Sequence, residues 1–105
     1  MAGYVDMNYL DVVGKRIRDR VPRSEIPNER DTDLLFRIYA VLLLAKGLQV
    51  TTEDVHNAWV AWMSEIDPTH ASLIPFGDLD ASTAADDEPY VVAIKSVVAD
   101  EETHK

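Results

Sequence analysis

The chain has 105 residues, no cysteine and a formal net charge of -9, with 47% of its residues hydrophobic. This fits one domain with one modest core and excludes a disulfide scaffold, a thiolate metal site and a cysteine nucleophile. The charge is uneven: residues 1 to 30 carry +1, residues 31 to 50 carry zero and residues 51 to 105 carry -10. A long polyanion such as duplex nucleic acid is therefore repelled unless the N-terminal arginines form a separate face.

The opening "MAGYVDMNYL" lacks the basic and apolar regions of a signal peptide. The richest apolar run, "IYAVLLLA" at 38 to 45, is too short to span a bilayer. A soluble cytoplasmic protein with no membrane partner is expected. Tyr9, Val13 and Ile17 recur every four residues with Leu10 and Val21 beside them, which predicts a helix over about 6 to 20. Gly14 weakens it by about 1 kcal/mol relative to alanine and suits a close backbone approach. Pro22 ends it, and "PRSEIPNERD" reads as an irregular connector.

A second helix is expected from Asp31 or Thr32, either of which can cap it, to Lys46, with Gly47 as the stop signal. Leu34 to Ala45 is apolar nearly all round, which suits the central helix of the domain. Thr51 with Asp54, a weaker version of the usual Glu or Gln capping partner, or Thr52 with Val55 starting the apolar face, marks the entry to a third helix, whose face is Val55, Trp59, Trp62 or Met63, and Ile66. Asp67 and Pro68 close it. A long ordered loop with "LIPFGDL" follows, with room for minor strands in "SLIPF". The last helix is expected from Asp86 to Pro89 through Val98, capped by Asp86 or Asp87, with Tyr90, Val91, Ile94, Val97 and Val98 facing inward. Residues 101 to 105 read as a frayed tail. The fold expected is mainly α: four helices, one long ordered loop between the last two, and a single domain over 1–105 in which 1–50 is an N-terminal helical pair.

His56, Trp59, Pro68 with His70, the "LIPF" of Leu73 to Phe76 with Leu79, the acidic Asp86 to Glu88, and Val91, Ile94 and Lys95 occur in one order. In these residues the 51–100 part resembles the RyR domain, the small helical repeat of ryanodine receptors that also occurs in bacterial and phage proteins. The "GW.YG" element of that family is absent here. The whole chain is also similar to small proteins of actinobacteria and their phages. The resemblance implies a compact RyR-like helical domain and sensing of a nucleotide-derived signal in antiviral defence. A phage copy, in the host cytoplasm, would sequester that signal or occupy a host protein.

His56, three residues before Trp59, either presents an imidazole beside an indole in a pocket or is a helix-start histidine bonded to the later loop. Of Trp59 and Trp62, one is expected in the core and one partly open, with loop carbonyls near Ser72 to Pro75 as indole partners. His70 and Ser72 either read a ligand or satisfy their own loop, which Pro75 and Phe76 hold against the helices. Tyr90 can approach from the last helix. Arg16 and Arg20 share a face and either offset ligand phosphates or make surface ion pairs. Asp86, Asp87 and Glu88 read as caps, and no metal or other cofactor is expected.

An enzyme needs converging groups with separate roles. Asp54 or Asp87 could orient His56 as a base, but no nucleophile, phosphate loop, "HExxH" or serine elbow accompanies them. The leading expectation is therefore non-enzymatic recognition of a small adenine-nucleotide-like signal by His56, Trp59, Trp62, His70, Ser72, Pro75, Phe76, Tyr90, Arg16 and Arg20. The alternative is a protein-interaction module, a homodimer or a phage factor that inhibits a host protein, suggested by the greasy second helix and the polarised charge.

Overall fold

Two reciprocal side-chain caps set where the first and third long helices begin. The computed structural model describes residues 8–103, with side chains through residue 100. Helix α1, Tyr9–Arg18, starts at Asn8, whose Oδ1 accepts from the Leu10 and Asp11 amides at 2.9 and 3.3 Å. Asp11 Oδ2 accepts from the Asn8 amide in return. The expected start near residue 6 lies outside the described residues. Helix α3, Thr52–Ile66, is closed at its head by the Thr51–Asp54 pair at 3.0 and 3.1 Å, as the spacing requires.

Helix α2, Thr32–Lys46, departs from expectation at its start. Neither Asp31 nor Thr32 caps it through its side chain. Asp31 sits in the left-handed region at φ 59°, which aspartate tolerates better than most residues, and Thr32 Oγ1 donates to the Glu29 carbonyl at 2.7 Å. The reason is tertiary: the Asp31 carbonyl faces α3, where it accepts from the buried indole of Trp62 at 2.8 Å. At the other end Gly47 stops the helix as expected, but at φ 55° and ψ -128°, a positive-φ conformation open to glycine and outside the left-handed helical region that the stop signal predicts.

The segment between α3 and the last helix contains no strand among the described residues. It holds a 3-10 turn, Phe76–Asp78, and a short helix α4, Ala81–Ala85, that the sequence reading did not anticipate. Asp80 caps α4 by accepting from the Thr83 amide at 2.8 Å. Asp86 then terminates α4 rather than starting the last helix. Helix α5, Glu88–Thr103, receives its first bonds through the Asp87 carbonyl, and it runs five residues past the expected end at Val98. His104 and Lys105, the rest of the expected frayed tail, lie outside the described residues.

Among the described residues the result is an all-helical domain of four long helices and one short one. Its core joins Ile17 of α1, Leu35 and Tyr39 of α2, Val55 and Trp62 of α3, and Ile94 and Val97 of α5, all essentially fully buried. Phe36, Tyr39 and Tyr90 form an aromatic group with ring centroids 5.1 to 6.2 Å apart, so α5 is anchored to α2 by ring contacts as well as aliphatic packing. Gly14 lets α1 approach α2 closely; a β-carbon there would lie 2.8 Å from the Phe36 carbonyl oxygen. No described helix is long and apolar enough to cross a membrane.

Candidate functional site

Where α3, the following loop, α4 and the start of α5 converge, they leave a hollow of about 330 Å³. Trp59 supplies its wall. The indole is half-buried, stacked on His56 at 5.8 Å and met edge-on by His70 at 5.1 Å. The two aromatic neighbours hold the indole in one orientation but do not fill the space beside it. Tyr39 and Tyr90 also line the hollow, and Glu25, Thr83, Asp86 and Asp87 contribute polar groups.

His56 is only 3% exposed, and its Nε2 donates to the Ile74 carbonyl at 2.7 Å. A carbonyl only accepts, so that nitrogen carries a proton in either charge state. The other ring nitrogen, Nδ1, lies 3.9 Å from Asp87 Oδ2. That oxygen is buried and is the one buried side-chain polar atom among the described residues that has no hydrogen-bond partner. Burial pushes the Asp87 carboxyl up to about 6; His56 opposes the shift, while Asp86 and Glu88 add to it. The local sequence gives no sign that Asp87 differs from Asp86 or Glu88. Only the turn between α4 and α5 aims it inward.

His70 Nδ1 accepts from the Ser72 amide at 3.0 Å, so the loop uses that nitrogen for its own backbone, and Nε2 carries the ring proton of the neutral form. Tyr90 donates to the Glu25 carbonyl at 2.5 Å, tying α5 to the connector after α1. Burial, with the acids Glu25 and Asp87 nearby, raises the Tyr90 phenol to about 12. Tyr39 is raised well above its ordinary value, first by burial and then by Tyr90 and Asp87. Both phenols are therefore neutral donors across the ordinary pH range.

Of the ten residues singled out in the sequence, His56, Trp59, His70, Ser72 and Tyr90 line the hollow. Trp62 does not: it is 1% exposed, and its indole reaches Asp31, not the loop carbonyls. Phe76 packs behind His56, 6.1 Å from its ring, and Pro75 precedes the 3-10 turn with its carbonyl accepting from the Asp78 amide. Arg16 and Arg20 lie on α1 and at its end, away from the lining. Arg20 instead binds Ser96 Oγ at 2.6 Å and the Asp100 carboxylate, which fixes α1 against α5. Sequence reasoning missed Glu25, Tyr39 and Thr83, which come from three separate elements and have no shared spacing to betray them.

The chain matches, over residues 8–99, the family described as a domain of unknown function (DUF7701). It belongs to that family. The match takes in the N-terminal helical pair and every residue that lines the hollow, so the DUF7701 domain and the folded unit coincide. No curated protein and no solved structure gives a significant match to it. Among the described residues, no group of three or more His, Asp or Glu side chains is placed to hold a metal ion.

Proposed function

We propose that the protein is a non-catalytic binder of a small adenine-nucleotide-like signal, held through its amine-bearing base with any phosphate left outside the hollow. The observation that carries this reading is the Asp87 carboxyl, lining the hollow beside an imidazole and an aromatic wall, with a side chain 14% exposed and its Oδ2 sealed off without a donor. Oδ2 itself is out of reach, and a ligand N–H that donates to the exposed part of this carboxylate makes a charged hydrogen bond worth about 1.5–3 kcal/mol. An aminoheterocycle supplies that donor together with a flat face for Trp59. The volume lies at the small end of the roughly 300–1,000 Å³ range of ligand pockets, which favours a base or nucleoside over a dinucleotide.

Phosphate fits this site poorly. The hollow is lined by Glu25, Asp86 and Asp87 and by no lysine or arginine, so an enclosed phosphate would meet like charge. The resemblance to RyR domains supports the choice of a nucleotide-derived signal, and a phage-encoded copy would act by sequestering it in the host cytoplasm. The non-catalytic reading is supported by the commitment of His56 Nε2 and His70 Nδ1 to backbone groups. No hydroxyl nucleophile is hydrogen-bonded to either ring among the described residues.

Native mass spectrometry with adenosine, AMP, ADP-ribose and cyclic dinucleotides tests the proposal. Adenosine should be retained with its mass unchanged, and AMP should bind at least about tenfold more weakly. Trp59→Ala and Asp87→Asn should each weaken adenosine by about tenfold or more while the domain stays folded. Retention of none of these compounds, or tighter binding of the phosphorylated ones, overturns the reading; a converted mass overturns the absence of catalysis.

A further inference from the structure

Two hollows among the described residues differ in how their charges are balanced. The groove between α1 and α2 is lined by Asp11, Asp19 and Asp33, and each of these carboxylates is paired, with Arg37, Lys15 and Arg18 at 2.8, 3.3 and 3.2 Å. Its charge is spent internally. The hollow beside Trp59 is lined by Glu25, Asp86 and Asp87, and among the described residues none of the three forms an ion pair with a lysine or arginine. The two lining histidines do not restore the balance. His70 accepts at Nδ1 from the Ser72 amide, a bond that only the neutral ring makes, and a proton on His56 Nδ1 would offset one carboxylate and leave the other two. The neighbouring phenol feels this field: after burial, the groups that raise Tyr90 are all acids, Glu25, Asp87 and Glu29.

We propose that the base is taken up as a cation, an aminoheterocycle made positive by methylation of a ring nitrogen; this rests on the reading of the hollow as a base-binding site. Shape and charge together select this class. A positive flat ring keeps the face that Trp59 requires and adds a cation–π attraction that a neutral ring lacks. Its amine still donates to the Asp87 carboxyl, through a more polarised N–H. Its charge lies among carboxylates that otherwise repel one another, Asp86 and Asp87 being adjacent at the turn into α5. A primary ammonium would meet the carboxylates without giving the indole a flat face. A neutral base would give the face without the charge.

Isothermal titration calorimetry of the full chain with two matched pairs tests this: adenosine with 1-methyladenosine, and guanosine with 7-methylguanosine. In each pair the added methyl brings a positive charge into the ring, whereas N6-methyladenosine adds a methyl without charge and controls for size. In at least one pair the cation should bind at least about tenfold more tightly than its neutral parent, and N6-methyladenosine should gain nothing over adenosine. That preference should shrink at least about threefold in a Glu25→Gln, Asp86→Asn double variant, and also as salt is raised to about 1 M. Both side chains are on exposed residues, so the variant should keep its fold, which its circular dichroism melt checks. Neutral nucleosides bound as tightly as both cations, or a preference untouched by the double variant, overturns the cationic form and leaves the base-binding reading standing. Binding of no nucleoside at all overturns both.

Discussion

Asp87 is the residue whose chemistry departs most from what its neighbours suggest. Its carboxyl rises from 3.8 to about 6 on folding, so the folded state holds its proton more tightly than the unfolded chain. The stability this contributes is therefore present below pH 4 and is lost as pH rises through about 6. Asp87→Asn removes that penalty: thermal melts should show the variant gaining on the parent between pH 4 and 6, levelling above, by about 3 kcal/mol. A constant difference across this range would place the carboxylate in water. Trp62 makes the opposite case, a residue singled out for a site that belongs to the core. Trp62→Phe keeps most of the apolar body but removes the indole donor, leaving the Asp31 carbonyl to the Leu34 and Leu35 amides alone, and should cost about 1–2 kcal/mol in urea unfolding. Hydrogen exchange should then show the lost protection in the first turn of α2. Spacing put Trp59 and Trp62 on adjacent parts of one face but could not say which of them the chain before α2 would cover.

At the level of elements, the caps divide into local and tertiary cases. The Thr51–Asp54 box was legible because both partners lie within four residues, whereas the Asn8–Asp11 box, equally local, went unread because asparagine with aspartate is a less familiar pairing than threonine with glutamate. The start of α2 was unreadable in principle, because a side chain thirty-one residues away recruits the Asp31 carbonyl. Helix α4 escaped because five residues are too few to show a hydrophobic period. Gly14 illustrates how contact reverses a propensity. In an isolated helix, alanine there adds about 1 kcal/mol, but its β-carbon would meet the Phe36 carbonyl at 2.8 Å. Gly14→Ala should therefore destabilise the protein, by about 1–3 kcal/mol, and lower the urea midpoint. An unchanged or raised midpoint would mean that α1 slides on α2 freely.

Over the whole molecule, the charge polarity sets conditions on stability as well as on partners. Twelve of the nineteen acids lie after residue 50 with only Lys95 and Lys105 to offset them, while the cations that bind acids across the fold come from the N-terminal half. Repulsion inside the acidic half exceeds what these exposed ion pairs return, each of which is worth on the order of 0–1 kcal/mol. Raising the salt from low levels to about 0.15 M should therefore raise the melting temperature, because screening acts at about the 8 Å scale on which these charges repel. A fall would show that the ion pairs, Arg20 with Asp100 first among them, dominate.

The sequence by itself determined a mainly helical class, the position of the four long helices, most of their buried faces and the distribution of charge, since each depends on residues within a turn or two of one another; Tyr9, expected on the inner face of α1, is 68% exposed because no other described segment covers the start of that helix. Only the tertiary structure decided which aromatic group would enclose a hollow. That hollow draws Glu25, Tyr39, His56, Trp59, His70 and Asp87 from five stretches of chain, and the same packing turned Arg16 and Arg20 away from it. A helix period records which side of a helix avoids water, but not which other segment covers it or leaves a gap; that is settled when the faces meet and their volumes fail to match.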